Sequence, residues 1–392
     1  MKIKKNLGAG YSPIYFLASL GSGGIVVTFF MFMMFMVEHE GRPIPVFEDV
    51  AVALSSGRLD IVALIILSYA GIVFYSFQHF RLLVWNIREY RGFSRTDSYA
   101  KLRESDGEVQ LMAIPLTYAM SINVMFMLGA LFVPGLWSIV EYLFPFAMLA
   151  FLLVGIYAGA IFLAFFSRVI AYGNFDCERN NSLSQMLSIF AFSMVGVGMS
   201  ASAAMSHQPV TSGLGIIFAS FFTSIVITLG VIKIVLGFRS MLSNGINYEA
   251  SVSLWIVIPV LTIFGITVNR ISMGLVHNFG AGVHPWFHVI FFSALAAMQL
   301  LFGLLGYAVM KRLGYFSEFI SGEGKSVVTY AAICPGVAFF VLGNFLINKG
   351  LVAADFLEKF SLGYFLLYIP LIAIQVQTIR VLGRLNRKLL KA

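Results

Sequence analysis

Runs of apolar residues follow one another along the whole chain, separated by short stretches carrying Lys, Arg, Gly or Pro. A helix rising about 1.5 Å per residue needs about 20 residues to cross a hydrocarbon layer about 30 Å thick. Ten segments meet that length: 12–37, 59–87, 109–133, 136–172, 184–206, 210–240, 251–277, 285–311, 326–348 and 360–382. The pattern predicts an all-α polytopic membrane protein, a single transmembrane domain over 1–392. Tails fall at about 1–11 and 383–392, and a polar loop at about 88–108 reads as a solvated connector. The connections after the third, fifth and seventh spans are as short as "VPG" (133–135), "HQP" (207–209) and "NFGAGVH" (278–284). The spans are therefore expected to pair as five hairpins.

Composition agrees. The 392 residues are 59% hydrophobic and 11% charged, with a mean hydropathy of +0.89, whereas soluble chains are about a quarter charged. Charge then sets an orientation. Of the 26 Lys and Arg, 21 lie in the tails, the even-numbered connections or the adjoining helix ends. Arg42, Arg58, Lys349 and Lys359 lie on the other side, and Arg270 is inside the seventh span. Because cytoplasmic loops carry the excess of basic residues, both termini are expected in the cytoplasm, with the protein in the inner (plasma) membrane. Trp85 and Trp255 then fall at the inner interface and Trp137 and Trp286 at the outer one. The net charge of +8 is met by anionic lipid headgroups, with no call for nucleic acid. Cys177 is in a short polar loop and Cys334 inside a span, so no disulfide is expected. No GxxxxGK[ST] motif is present, which argues against ATP-driven pumping.

The odd-numbered spans share a peculiarity. Pro115, Pro259 and Pro335 each lie seven to ten residues from the cytoplasmic end of their span. A proline removes one helical hydrogen bond and sets its ring against the carbonyl four residues earlier, which for Pro335 belongs to Ala331. The first span carries "GSGG" instead, with Gly21, Ser22 and Gly24, and the fifth carries "SMVGVGMSASA" at 193–203. Close helix packing accounts for any one of these. Five together point to a ring of kinked odd-numbered helices around a central path, since irregular backbone at membrane depth is tolerated where it lines a cavity. No Asp or Glu lies mid-span; Glu141 is near an outer end. A path lined by hydroxyls and helix amides suits small anions. Candidate contacts are Ser22, Thr117, Ser121, Ser193, Thr262 and Thr329. Arg270 either snorkels to the outer interface or attracts anions at an outer mouth.

Ten spans in five hairpins, with Pro or Gly breaks in the odd-numbered helices, resemble the tellurite-resistance/dicarboxylate transporter (TDT) family, which includes TehA-like proteins and the plant guard-cell slow anion channels. The resemblance covers nearly the whole chain and is architectural. It implies a homotrimer in which each subunit has its own pore for small anions, and an aromatic gate on the ninth helix just before a proline. Here that residue is Cys334, and the Cys334-Pro335-Gly336 core looks like the TsoY branch. Phe339 and Phe340, or Phe16 and Phe264 on other odd-numbered spans, are then the candidate plugs.

Cys334 has two readings. A thiol in apolar surroundings is usually an inert small hydrophobe. Facing a pore, it would instead handle soft sulfur-, selenium- or tellurium-type oxyanions, dicarboxylates being the other substrate class. A membrane thiol redox enzyme using Cys334 is the alternative function, although no sequence neighbour offers a base or second thiol. Of the histidines, His79 is near the inner face, while His207, His277, His284 and His288 group near the outer one. The 284/288 pair straddles Pro285, a poor arrangement for clamping haem, so no cofactor or metal is expected. The expected partners are small anions, membrane lipids and further copies of the chain, and the expected role is transport rather than catalysis.

Overall fold

The computed structural model describes residues 2–173 and 181–392, so Cys177 and its loop lie outside the described residues. Within them the chain is helical, and extended pairing is limited to one antiparallel bridge between Ile3 and Lys391. Ten helical units are long and apolar enough to cross a membrane: Pro13–Met36, Leu59–Phe93, Asp106–Phe132, Leu136–Tyr172, Ser184–Met205, Pro209–Asn244, Glu249–Phe279, Pro285–Arg312, Val327–Val352 and Leu362–Leu390. They coincide with the ten expected segments to within a few residues at most ends, and the protein is a multi-pass membrane protein. The main difference is at two charge-rich ends: the second unit runs on to Phe93 and the tenth to Leu390.

Burial divides the ten into two sets. In the odd-numbered spans 56–94% of the apolar window is buried inside the protein, against 22–28% in the even-numbered ones. Each odd-numbered span packs on the even-numbered span that follows it. The odd-numbered spans also pack on one another in order, and the ninth returns to the first. The even-numbered spans expose long apolar side chains such as Ile66, Phe146, Ile217, Leu304 and Ile369, as a lipid-facing surface requires.

All five odd-numbered spans begin as a tight 3-10 helix and convert to α-helix, at Phe16, Ala113, Leu187, Val257 and Ile333. Pro115, Pro259 and Pro335 each stand third in the α-helical part. There a missing N–H costs little, because the first turn of an α-helix has donors without intrahelical partners. The 3-10 turns also reuse the carbonyls that proline leaves: Leu111 O accepts from Ala113 N and Trp255 O from Val257 N. The expected mid-helix kinks are thus changes of helix type, and spans one and five make the same change with no proline in the α-helical part, Pro13 standing in the 3-10 turn of the first. Genuinely interior prolines are Pro145 and Pro370, in the fourth and tenth spans.

The glycines serve close approach. A side chain at Gly21 would meet Ile333 Cγ2 at 2.9 Å, and one at Gly24 would meet Val337 at 3.2 Å, so the first span lies tight against the ninth. At Gly198 a Cβ would fall 2.2 Å from the ring of Phe151, a fourth-span residue that reaches past the fifth.

Both termini lie at one end, joined by the bridge at Ile3 and by Lys4 N donating to Leu390 O at 2.9 Å. Glu89 accepts from the backbone N–H groups of Asn6 (3.0 Å) and Leu7 (2.8 Å), which fixes the entry into the first span. The stretch 88–108 is more than a solvated connector. It contains the helix Asp97–Arg103, and Glu108, 1% exposed, binds Arg103 and Arg168 at 3.1 Å each.

Gly274 tests this packing. A Cβ there would lie 2.5 Å from Ala203 O, a backbone atom that cannot rotate away, whereas Gly213 has only the ring of Phe279 at 3.6 Å. Gly274→Ala is expected to destabilise by about 1–3 kcal/mol, and Gly213→Ala to be neutral or stabilising by up to about 1 kcal/mol. Thermal unfolding in detergent micelles reads both.

Candidate functional site

The odd-numbered spans enclose a cavity of about 160 Å³ to which all five contribute. Leu20, Gly21 and Gly24 line it from the first span, Met120 and Asn123 from the third, Val197 and Gly198 from the fifth, Pro259 and Thr262 from the seventh, and Cys334 and Val337 from the ninth. Phe144 and Phe151 reach it from the fourth. The lining is apolar and rich in sulfur: Met31, Met34, Met120, Met127, Met194 and Met205 accompany Cys334.

Arg270 is the one charged residue in this lining. Its Nη1 donates to Val197 O on the fifth span at 2.9 Å. None of the ion pairs among the described residues involves it. A guanidinium carries five N–H donors, so most of this one's capacity is not used by the protein. Snorkelling does not describe it, because the group is tied to a neighbouring helix beside the cavity.

The Cys-Pro-Gly tripeptide is split between two spaces. Cys334 borders the cavity, while Pro335 and Gly336 border a separate groove between the eighth, ninth and tenth spans. Pro335 lies eight residues after Val327, about 15 Å along the ninth span. Gly336 has no room for a side chain, because a Cβ would fall 2.0 Å from Thr378 Oγ1 of the tenth span. Cys334 is a free thiol.

Of the other predicted residues, Gly21, Gly24, Pro259, Thr262 and Arg270 line the cavity and the rest do not. Five hydroxyls bond within the helix bundle. Ser22 donates to Ala18 O (3.0 Å), Ser193 to Phe190 O (2.8 Å) and Thr117 to Ala113 O (2.7 Å). Ser121 donates to Thr117 O and meets His79 Nε2 at 2.9 Å, and Thr329 meets Tyr315 Oη at 3.3 Å. Short hydroxyl side chains in helices return to the preceding turn, and an apolar cavity offers them nothing better. Pro115 is buried in the third span. None of the four candidate plugs borders the cavity. Phe16 is packed edge-on by Tyr90 and Tyr118, Phe340 by Phe32, and Phe264 lies against Phe291, while Phe339 faces the groove. The aromatic side chains at the cavity are Phe30, Phe126, Phe144, Phe151, Phe190 and Phe345.

Two polar nodes join residues that the sequence reading named only singly or as a loose group. His79 is fully buried among the first three spans, its Nδ1 2.8 Å from Ser19 O and its Nε2 on Ser121. At the far end of the bundle His277 Nε2 lies 2.6 Å from His207 Nδ1, and Glu141 accepts from Ser206 Oγ (2.7 Å) and His207 N (2.6 Å). Nothing in the spacing joins residues 70 apart. Among the described residues no three His, Cys, Asp or Glu side chains form a group that could hold a metal ion.

These placements imply unequal costs of substitution. His79→Ala opens a void and removes a buried partner, an expected loss of about 2–4 kcal/mol. Cys334→Ala enlarges a space that already exists, an expected change of about 1 kcal/mol or less. Unfolding midpoints of the two variants in one detergent check the difference.

The chain matches no family model, no curated protein and no solved structure.

Proposed function

We propose that the cavity is the constricted part of a conduit for small anions, one per subunit, framed by five helical hairpins whose odd-numbered members form the inner ring. The carrying observation is Arg270: a guanidinium with unused donors, beside an apolar cavity, with no carboxylate in the lining. A cation removed from water is costly unless countered, and an anion entering the cavity supplies the missing charge while the apolar walls let it leave. Cations meet the same field as a barrier. The reading follows the resemblance to the tellurite-resistance/dicarboxylate transporter family, with the TsoY branch suggested by the Cys334-Pro335-Gly336 core and assembly expected to be trimeric; an inner ring of odd-numbered helices fits the order in which these spans pack, ending with the ninth on the first.

The lining also bears on substrate class. Thioethers and aromatic rings compensate little for lost hydration, so weakly hydrated, polarisable monoanions cross more easily than malate. Soft sulfur-, selenium- or tellurium-type oxyanions remain the class that Cys334 and the methionines suit best. The proposed setting is the inner membrane with both termini cytoplasmic, consistent with the side on which the basic residues gather.

Flux into protein-containing vesicles tests this, with chloride, nitrate, malate, sulfite, thiosulfate and selenite as the panel. Arg270→Gln is expected to cut anion flux at least tenfold and Arg270→Lys to restore part of it; an unchanged rate in Arg270→Gln overturns the reading. Cys334→Ser is expected to alter the preference among the panel while leaving nitrate flux within a few-fold. Loss of all activity in Cys334→Ser, with a redox turnover in the wild-type protein, would favour a thiol enzyme. Uptake driven by voltage alone identifies a channel, and dependence on a pH gradient a carrier.

A further inference from the structure

The groove behind the tripeptide is about 1030 Å³, much larger than the cavity. It runs between the eighth, ninth and tenth spans, and its walls are graded. Leu300, Leu304, Phe339 and Ile374 line the apolar part, while Lys311 and Arg384 border it from the last turns of the eighth and tenth helices. Trp255 and Tyr307 stand with them, the side chains expected at headgroup level.

Both cations are exposed, and neither takes part in an ion pair among the described residues. Lys311 Nζ lies 5.9 Å from the centre of the Tyr307 ring. By contrast Lys388, one turn beyond Arg384, is occupied: its ammonium donates to the carbonyls of Glu318, Phe319 and Gly322.

We propose that this groove is a binding site for one anionic phospholipid, its acyl chain between the three spans and its phosphate on Lys311 and Arg384. An apolar slot open along lipid-facing helices accepts a hydrocarbon tail, and two unpaired cations at its polar end select the headgroup charge. A zwitterionic lipid presents a phosphate too, but brings its own ammonium among the two basic side chains. A second copy of the chain seated here would have to cover both cations with carboxylates, and the exposed faces of the even-numbered spans are apolar. The lipid would touch Pro335 and Gly336 directly, on the opposite side of the helix from Cys334 and the cavity.

The test uses the full chain in mild detergent, with phosphatidylglycerol or phosphatidylcholine titrated in and bound lipid counted by native mass spectrometry. Phosphatidylglycerol is expected to bind at least fivefold more tightly. In the double variant Lys311→Gln/Arg384→Gln that preference should fall below twofold; both side chains are exposed, so packing is retained. Leu304→Trp should reduce binding of both lipids by filling the slot. Equal affinity for the two lipids in the wild-type chain, or a preference that survives the double substitution, overturns the proposal. So does efficient disulfide cross-linking between copies through Leu304→Cys in a Cys177→Ser/Cys334→Ala background, which would place a second chain in the groove. The readout contains no transported ion, so it stands or falls separately from anion flux.

Discussion

Every backbone N–H and C=O inside hydrocarbon must find a partner within the protein, and this constraint shapes the odd-numbered spans. Each enters as a 3-10 helix and converts to α. The conversion puts Pro115, Pro259 and Pro335 in a first α-helical turn, where the absent donor is tolerated. Side chains complete the accounting: Gln299 donates to Ile258 O and to Thr262 Oγ1, and Thr262 donates across to Ala338 O. The result is a set of inner helices with irregular starts and mostly bonded surroundings.

Close approach then decides what each inner helix can show to its neighbours. Gly21 and Gly24 seat the first span on Ile333 and Val337 of the ninth, and Gly198 lets Phe151 pass through to the cavity. Gly336 lets Thr378 press on the back of the ninth helix. Consecutive residues of a helix point in different directions, so a tripeptide that is one motif in the chain divides between two spaces. Cys334 faces inward, and Pro335 with Gly336 faces the groove.

Charge is handled differently at the ends and in the middle. At the end that holds the termini, Glu108 pairs with Arg103 and Arg168, and Glu89 binds the N-terminal backbone. Within the bundle polar groups are few and mostly bonded, as at His79 and along the ladder of Asn344, Asn348, Tyr364 and Tyr368. Arg270 departs from that economy: one hydrogen bond to a carbonyl, no carboxylate, and a cavity beside it.

The ten spans were legible because bilayer thickness imposes a length that composition alone reveals, and the odd–even distinction was legible because Pro, Gly and Ser collect in the helices that pack most tightly. Cys334 and Arg270 stood out as a thiol and a charge where apolar residues rule. What the chain could not disclose was direction. Whether Ser22 or Thr117 reaches a cavity or its own preceding turn, whether Phe340 plugs a passage or packs on Phe32, and which histidines meet across 70 residues all depend on the rotation of each helix about its axis. That rotation is settled by contacts between segments distant in sequence, as when the Gly198 notch admits Phe151. Length and composition therefore determined the class of the protein, while tertiary packing alone decided which of its unusual residues share a space.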